Sequence, residues 1–394
     1  MCSLYDGPLS YEGPIPASAA WREGNNPGRR KFIDIGPLDL EFGGHLPNVR
    51  VAYETFGELN AEGTNAILIC HALTGDSHVS GAAGPGHLTA GWWDTIVGPG
   101  RPLDTDEWFV VCPNVLGGCQ GTTGPSSLAT DGRPWGSRWP RTSVRDQVEV
   151  ERRVTAALDL TRWAAVLGCS LGGMRSLEWA VTEPDRVGAA LVGVVGAAAT
   201  ADQISTHRVQ IDSITSDPKW RGGDYYDASD GDGPHVGMGL ARRIAHLTYR
   251  TESELDVRFG RQAQAGHDPY AAENPGHFAV ESYLDHHAQK LSRRFDAGTY
   301  VSLSDAMSTW DVGRDRGGVA AALGATTVPV VVGSIDSDRL FPIRLQHELA
   351  ALLPGDQPAH VIASPYGHDG FLIETEGVGE LVRLTLDKAR SRVS

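Results

Sequence analysis

The sequence predicts an α/β fold: a mostly parallel mixed sheet with helices on both faces, interrupted by a helical insertion. The first of three observations is a series of short apolar runs, which are typical of strands buried on both faces. The second is that helical segments lie between several of these runs, and this alternation produces a parallel sheet. The third is residues 201–306, where amphipathic helical patterns replace the apolar runs. We therefore expect a core built from residues 31–200 and 307–394, with a helical lid inserted between them.

Residues 1–30 are predicted to form an arm on the surface, because prolines and glycines are frequent there and no hydrophobic period is visible. Apolar and polar residues then alternate over residues 38–42 and again over 49–53, with Gly43 and Gly44 between the two segments. This spacing predicts an antiparallel hairpin at the start of the sheet.

Six apolar runs follow and predict six buried strands. They are residues 66–70, 109–112, 164–167, 191–195, 328–332 and 360–362. Helices are predicted over residues 144–158 and 171–182, and Pro184 stops the second one. Because active sites of open α/β sheets lie at the carboxyl ends of the strands, we expect the lid to cover that edge.

The composition narrows the classes of partner. The chain has 394 residues and carries 34 Lys and Arg against 49 Asp and Glu, a net charge of −15 at pH 7. Such a charge repels phosphate backbones and anionic lipid surfaces, so we expect neither nucleic acid nor a membrane as partner. The five cysteines include no C-x-x-C pair, and neither a signal peptide nor a membrane-spanning run is visible. We expect free thiols and a cytoplasmic protein.

A serine nucleophile is predicted at Ser170, inside the segment Gly168-Cys169-Ser170-Leu171-Gly172. The segment stands between a predicted strand and a predicted helix, the context in which a G-x-S-x-G pattern exposes a reactive serine. The glycines two residues to either side leave room for a strained backbone. The helix that begins at Leu171 directs its first amides toward the site and favours negative charge there.

A serine nucleophile needs a base and a carboxylate that orients the base. In this arrangement the order along the chain is serine, then carboxylate, then histidine. Asp336 and Asp338 follow one late strand, and His368 follows the next. The spacing predicts His368 as the base and leaves both aspartates open for the orienting role.

Two backbone amides are expected to bind the negative oxygen that develops during attack. One is the amide of Leu171, and the other is expected in the loop after residues 66–70, where Leu73 is favoured. His71 lies in the same loop and is expected to have a structural role. Cys169, beside the nucleophile, is expected to be a buried packing residue.

No metal site and no bound organic cofactor are predicted. Residues 227–233 are acidic but lack the spacing of a calcium-binding EF-hand loop. His286 and His287 are adjacent on a predicted helix and therefore point to different sides, which disfavours a zinc site.

Several sequence blocks surround the predicted site residues: 53–57 (YETFG), 70–75 (CHALTG), 91–94 (GWWD), 114–119 (NVLGGC), 121–127 (GTTGPSS), 172–174 (GGM) with 177–179 (LEW), and 366–369 (YGHD). Together they resemble the homoserine O-acetyltransferases of methionine biosynthesis. Plain esterases share the G-x-S-x-G segment but not these flanking blocks. Residues 239–250 resemble the actinobacterial branch of the family.

The resemblance implies an α/β-hydrolase fold with a helical lid, in a homodimer whose lids pack together. In the family motif Ser-Asp-x-Leu-Phe-Pro the aspartate orients the base, which selects Asp338. Family members place an arginine and a tyrosine of the lid in the substrate pocket, and these match Arg242 and Tyr249. The aspartate after the histidine matches Asp369. A guanidinium suits the carboxylate of a free amino acid, and Asp369 suits its ammonium group.

The resemblance further implies that an acetyl group passes from acetyl-CoA, as co-substrate, to the hydroxyl of L-homoserine through an acetyl-Ser170 intermediate. A homoserine or serine O-succinyltransferase of the same fold stays open as an alternative, because spacing does not separate a two-carbon acyl group from a four-carbon one. A simple esterase is a further alternative. A non-catalytic binding protein is expected to lack at least one residue of the triad, and this chain has Ser170, Asp338 and His368.

Overall fold

An eight-stranded sheet forms the centre of the computed structural model, which describes residues 13–355 and 357–393. Its strands are β1 (Lys31–Asp34), β2 (Arg50–Phe56), β3 (Ala66–Cys70), β4 (Phe109–Pro113), β5 (Trp163–Cys169), β6 (Val187–Gly193), β7 (Val330–Ile335) and β8 (His360–Ile362). They lie in the order β1–β2–β4–β3–β5–β6–β7–β8. Strand β2 is antiparallel to both of its neighbours, and the other pairings are parallel. The predicted mixed, mostly parallel sheet is confirmed.

The described residues form eleven α-helices. They are α1 (Val144–Ala157), α2 (Leu171–Thr182), α3 (Ala201–Thr215), α4 (His235–Tyr249), α5 (Glu252–Phe259), α6 (Ala279–Ser292), α7 (Ala297–Ser308), α8 (Val319–Gly324), α9 (Arg344–Leu352), α10 (Gly370–Ile373) and α11 (Thr375–Val393). Helix α1 begins at a capping box in which Ser143 and Asp146 exchange hydrogen bonds between side chain and backbone. Helix α2 has the bounds that the sequence predicts, because Pro184 lies just beyond its end.

All six predicted runs form strands, but only 66–70 and 360–362 have the predicted bounds, and the other four strands differ by one to four residues at one or both ends. Strand β6 begins at Val187 and ends at Gly193, and the next residue, Val194, has φ 45°, outside the extended region. Strand β7 begins after Pro329, whose nitrogen has no hydrogen to donate to a neighbouring strand.

The predicted hairpin is wrong in its pairing. Strand β2 pairs with β1, so that Tyr53 lies opposite Lys31, and not with residues 38–42. Leu38–Asp39 pairs instead with His45–Leu46 in a separate two-stranded ribbon. The chain turns after β1 at Gly36, which has φ 76°. Because of this turn, residues 50–53 pair with residues 31–34, which precede it, and not with residues 38–42, which follow it. Leu38, Leu40, Val49 and Val51 of the alternation are nevertheless buried, in a cluster that includes residues of α1.

Two apolar cores lie on opposite faces of the sheet. Neighbouring strand residues belong to different cores: Val166 and Val192 pack on the face that α2 covers, and Leu167 and Leu191 pack on the face that α11 covers. This burial on both faces explains why the strands read as continuous apolar runs.

The helices from Ala201 to Ser308 (α3 to α7), which we name the helical insertion, lie between β6 and β7 along the chain. The first described part of the predicted arm lies against this insertion, because Ser18 Oγ donates to the Asp296 carboxylate at 2.7 Å and the ring of His235 bonds the Pro16 carbonyl at 2.8 Å. Further along, the Arg30 guanidinium donates to the Gly86 carbonyl of the core at 2.7 Å. Residues 1–12 of the predicted arm lie outside the described residues. Within the described residues, no helix combines the length and the apolar character needed to cross a membrane.

Candidate active site

Ser170 lies at a sharp turn between β5 and α2. Its backbone has φ 58° and ψ −128°, which L-residues rarely adopt and which stores strain. A Cβ on Gly168 would lie 2.1 Å from the Gly172 carbonyl oxygen, and a Cβ on Gly172 would lie 2.0 Å from the Cys70 carbonyl oxygen. The turn therefore requires a glycine at both positions. This is the steric basis of the G-x-S-x-G pattern in this chain.

Ser170, His368 and Asp338 form a buried chain of hydrogen bonds. His368 Nε2 lies 3.0 Å from Ser170 Oγ, and His368 Nδ1 lies 2.7 Å from Asp338 Oδ2. An ionised aspartate only accepts hydrogen bonds, so Nδ1 carries the hydrogen and Nε2 is left as the acceptor for the serine hydroxyl. His368 is therefore placed to take the proton of Ser170.

The charge of the aspartates strengthens His368 as a base. Burial by itself lowers the pKa of His368, but the charge and hydrogen bond of Asp338, together with the charge of Asp369, raise that pKa above its ordinary value. A base with a raised pKa holds a proton more firmly while the reaction proceeds.

Asp338 is held in place by backbone amides. Its Oδ1 accepts the N–H groups of Leu340 and Phe341 at 2.8 and 2.9 Å, which leaves Oδ2 to face His368. Asp336 is exposed, and its carboxylate accepts the N–H of Ser364 instead. The structure thus brings Asp338, and not Asp336, to the histidine.

One predicted oxyanion donor directly follows Ser170 in the chain, and the other belongs to a loop that lines the same cavity. Leu171 is the first residue of α2, and amides in the first turn of a helix have no partner within that helix. Leu73 lies in the loop after β3 and lines the same cavity as Ser170. Backbone donors at such positions can stabilise a negative oxygen formed at the serine.

His71 braces the loop after β3. Its Nε2 accepts the N–H of Val115 at 3.0 Å, so its Nδ1 donates to the Ala72 carbonyl at 2.8 Å. Burial, followed by the charge of Arg175, lowers the pKa of His71 to about 3. A neutral ring with both nitrogens engaged is a structural element.

A cavity of about 900 Å³ opens between the sheet edge and the helical insertion. Arg242 and Tyr249 of α4 line it together with Ser170, His368 and Asp369. The Arg242 guanidinium carbon lies 5.5 Å from the centre of the Tyr249 ring. Its Nε and Nη1 are buried and have no hydrogen-bond partner among the described residues. A buried guanidinium with unpartnered nitrogens is suited to bind an anion.

Asp369 lies between cations in the same cavity. Burial raises its pKa, while the charges of Arg250, Arg242 and His368 act in the opposite direction. Arg250 Nη1 lies 3.5 Å from Asp369 Oδ2, a contact that the sequence reasoning missed. The sequence could have indicated Arg250, because it directly follows Tyr249 in residues 239–250, which were assigned to the lid.

Comparison with known proteins identifies the family. The sequence profile of the alpha/beta hydrolase fold matches residues 65–375. A homoserine O-acetyltransferase from Thermobifida fusca (strain YX) is 57% identical over 371 residues, which cover 94% of this chain and 97% of that protein. The chain belongs to the homoserine O-acetyltransferase family. It is therefore an enzyme of the acyltransferase class, and the family and fold predicted from the sequence are confirmed.

Solved structures show how far the fold extends beyond the homoserine O-acetyltransferase family. A homoserine O-acetyltransferase from Bacillus anthracis superposes with a TM-score of 0.82 at 24% identity, covering 91% of this chain and 97% of that one. Esterase E22 superposes with a TM-score of 0.81 at 23% identity, covering 91% and 99%. Because a transferase and an esterase superpose equally well, these likenesses show the fold alone. Membership of the family rests on the sequence identity.

This member of the homoserine O-acetyltransferase family also has a buried cluster that the sequence reasoning missed. Among the described residues, Glu54, His78 and His87 are the only group whose donor atoms could meet at one metal ion. His78 Nδ1 lies 3.1 Å from Glu54 Oε2, and its Nε2 lies 3.3 Å from the Ala82 carbonyl oxygen, so both nitrogens donate. His87 Nε2 accepts the N–H of Arg29 at 3.0 Å. These contacts engage both nitrogens of His78 and Nε2 of His87, whereas His87 Nδ1 is buried without a hydrogen-bond partner. The cluster is a Glu54–His78 pair with a stacked second imidazole.

Proposed function

We propose that this protein transfers the acetyl group of acetyl-CoA to the side-chain hydroxyl of L-homoserine, giving O-acetyl-L-homoserine and CoA for methionine biosynthesis. The observation that carries the proposal is one shared cavity: the Ser170–His368 pair opens into the space that Arg242 and Asp369 line. A serine that can be acylated therefore faces two opposite charges suited to a free amino acid. The name of the Thermobifida fusca relative supports the same substrate.

In the first half of the reaction, Ser170 Oγ attacks the thioester carbonyl carbon of acetyl-CoA while His368 Nε2 takes its proton. The amides of Leu73 and Leu171 donate to the oxyanion, and one such donor contributes about 3–4 kcal/mol. The carbon–sulfur bond then breaks, His368 returns the proton to sulfur, and CoA leaves as its thiol. The enzyme is left as acetyl-Ser170.

In the second half, the homoserine hydroxyl occupies the place that the CoA sulfur has left. His368 Nε2 takes the hydroxyl proton, and the oxygen attacks the acetyl carbonyl carbon. The bond to Ser170 Oγ breaks, and His368 gives the proton back to that oxygen. Asp338 stabilises the imidazolium in both halves through its 2.7 Å hydrogen bond.

Recognition of the amino acid uses the charges in the cavity. The unpartnered nitrogens of Arg242 bind the substrate carboxylate, because a guanidinium presents donors in the geometry that a carboxylate accepts. Asp369 binds the ammonium group. Holding both ends of the backbone leaves the side-chain hydroxyl free to approach acetyl-Ser170.

The charge of the cavity supports acetyl-CoA as the anionic co-substrate. The chain as a whole has a net charge of −15, yet cationic side chains outnumber carboxylates around this cavity. The cations are Arg242, Arg250, Arg258, Lys290 and Arg294, and the carboxylates are Asp76, Glu254 and Asp369. A local positive potential attracts the phosphate groups of CoA against the overall negative charge.

Transfer rather than hydrolysis requires that water be kept from acetyl-Ser170. Ser170 and His368 are 4% and 3% exposed, and the helical insertion covers the sheet edge where they lie. This cover supports transfer to an amino acid that enters the cavity. The reaction belongs in the cytoplasm in this proposal, and the free thiols of the four described cysteines agree with a reducing compartment.

The protein is proposed to act as a homodimer through the helical insertion. Helix α4 presents an apolar stripe on its outer side, where Val236, Leu240 and Leu247 are 79%, 46% and 49% exposed. Spacings of four and seven residues place the three on one face, and the opposite face packs inward through Ala241 and Ala245. A second copy of the chain buries such a stripe. Sedimentation of Leu240→Asp is expected to show a monomer, and a dimer of unchanged stability would remove this surface from the interface.

The function is tested by measuring thiol release from acetyl-CoA and from succinyl-CoA, each with and without L-homoserine. Fast release from acetyl-CoA only with homoserine is the expected result. Preferential use of succinyl-CoA would mean a succinyltransferase with the same triad, and fast release without an amino acid would mean an esterase. Ser170→Ala is expected to show neither turnover nor acetylated protein by intact mass. Acetylated Ser170→Ala would overturn the assigned nucleophile.

A further inference from the structure

The two residues between α4 and α5 contact the loop that carries His368 and Asp369, which we name the base loop. Thr251 Oγ1 donates to the Pro365 carbonyl at 2.5 Å, and the Arg250 guanidinium lies 5.0 Å from the centre of the Tyr366 ring. Arg250 Nη1 approaches Asp369 Oδ2 at 3.5 Å. Consecutive residues of the helical insertion therefore contact successive residues of the base loop.

Arg250 is held mainly by a different carboxylate. Its Nη2 and Nε donate to the two oxygens of Glu254 at 2.7 and 3.2 Å, a two-point contact between partners that are each 8% exposed. Glu254 is fixed in turn, since its N–H donates to the Thr251 side chain in the first turn of α5. This contact draws the guanidinium toward Glu254, so that only its Nη1 approaches Asp369 and at the limit of hydrogen-bond distance.

The geometry gives Asp369 a positive neighbour without a short hydrogen bond. A carboxylate that Arg250 gripped at both oxygens would have little capacity left for an ammonium group. A carboxylate with no cation nearby would be protonated more readily in this cavity and would lose its attraction for that group. In the observed arrangement, the single 3.5 Å contact gives Asp369 a cation nearby and still leaves its oxygens able to accept from an ammonium group. The titratable or charged groups around Asp369 are Arg242 and Tyr249 of α4, Arg250 directly after it, Tyr283 of α6, His368 beside Asp369, and Glu254 behind Arg250.

We infer that Arg250 and Glu254 form a positioning pair that keeps Asp369 charged and available, and thereby sets the recognition of the substrate's amino group. Arg250 does not touch the reacting atoms, so its effect on the reaction passes through Asp369. The inference rests on the proposed function, in which Asp369 binds the ammonium group of the acceptor.

The test compares two acceptors, L-homoserine and 4-hydroxybutyrate, which has the same hydroxyl but no amino group. The quantity measured is the ratio of their kcat/KM values across pH, because the titration of His368 affects both acceptors and cancels. In the unaltered enzyme the ratio is expected to fall as pH decreases and Asp369 takes up a proton. Arg250→Gln removes the cation and is expected to lower the ratio at pH 7 by about tenfold, which corresponds to the loss of one hydrogen bond to a charged group. The pH at which the ratio falls is expected to be higher than in the unaltered enzyme.

Two further variants separate positioning from a purely structural role. Arg250→Lys keeps the charge and is expected to restore most of the ratio, while thermal unfolding shows whether each variant is folded. Glu254→Gln releases Arg250 from its two-point contact, so that it closes on Asp369 and competes with the ammonium group. This variant is expected to lower the ratio at pH 7 while moving its fall to lower pH.

Equal losses for both acceptors in Arg250→Gln, or an unchanged ratio in Glu254→Gln, would overturn the inference and leave the proposed function intact. An unaltered enzyme that acetylates homoserine no better than 4-hydroxybutyrate would overturn both, because Asp369 would then not recognise the amino group. The two failures are therefore distinguishable in one set of measurements.

Discussion

A Cβ built on Gly367 would lie only 2.4 Å from the carbonyl oxygen of Tyr249. Gly367 directly precedes His368, and Tyr249 is the last residue of α4, so the helical insertion rests on the backbone of the base loop. Gly367 also has φ 62°, in the left-handed region. The insertion thus contributes to the position of the base as well as covering the cavity.

This contact predicts that Gly367→Ala lowers both stability and kcat. The added methyl group displaces the base loop, and overpacking of this kind costs about 1–3 kcal/mol in addition to backbone strain. Gly63→Ala is a matched control, because Gly63 has φ 64° but nothing within 4 Å of its Cβ position. Strain alone in that variant is expected to cost about 1 kcal/mol without loss of activity. Thermal unfolding and the thiol-release assay measure both effects, and equal behaviour of the two variants would show that the Tyr249 contact is unimportant.

The choice between the two aspartates predicts unequal effects of the same substitution. Asp338→Asn removes the charge that orients His368 and is expected to reduce kcat by about 10⁴-fold, as the same substitution does in a serine protease triad. Asp336→Asn keeps an acceptor for the Ser364 amide and is expected to retain activity. Steady-state kinetics of the two variants checks this, and the reverse order of effects would assign the orienting role to Asp336.

The raised pKa of His368 predicts where activity is lost in acid. A histidine protonated at both nitrogens does not accept the Ser170 proton, so kcat/KM for acetyl-CoA falls as pH decreases through the pKa of His368. The midpoint is expected above about 6.5, the ordinary value for histidine. Asp369→Asn removes one of the charges that raise this pKa and is expected to move the midpoint to lower pH. A pH profile with a midpoint below the ordinary value would contradict the electrostatic argument.

Two neighbouring arginines on α4 predict different kinetic effects. Arg242 faces the cavity with unpartnered nitrogens, whereas Arg243 bonds Asp285 at 2.7 Å toward the surface. Arg242→Gln is expected to raise KM for homoserine about tenfold or more, while single-turnover formation of acetyl-Ser170 at saturating acetyl-CoA stays within about twofold. Arg243→Gln is the control and is expected to change neither. An unchanged homoserine KM in Arg242→Gln would remove this residue from the amino-acid site.

The elements that depend on local pattern were predicted well. Helix α2 and the nucleophile turn follow from residues within a few positions of Ser170, because the glycine sterics and the helix start act over that distance. The predicted hairpin was wrong because strand pairing does not depend on local pattern alone. The alternation in residues 38–42 and 49–53 is a local signal, but the partner of β2 was decided by where the chain turns after β1.

The features of the candidate site also fall into those that local sequence predicts and those that only the packing of distant elements produces. The sequence by itself determined the fold class, the turn at Ser170 and the histidine after a late strand. These features depend on apolar periodicity and turn sterics, which act between residues only a few positions apart. Spacing left both aspartates open, the family motif selected Asp338, and the structure places that residue against His368. Only the tertiary structure decided that Arg250 reaches Asp369 across 119 positions and that Glu54 joins two histidines distant in the sequence. Such contacts depend on how whole elements pack, and no short stretch of sequence contains that information.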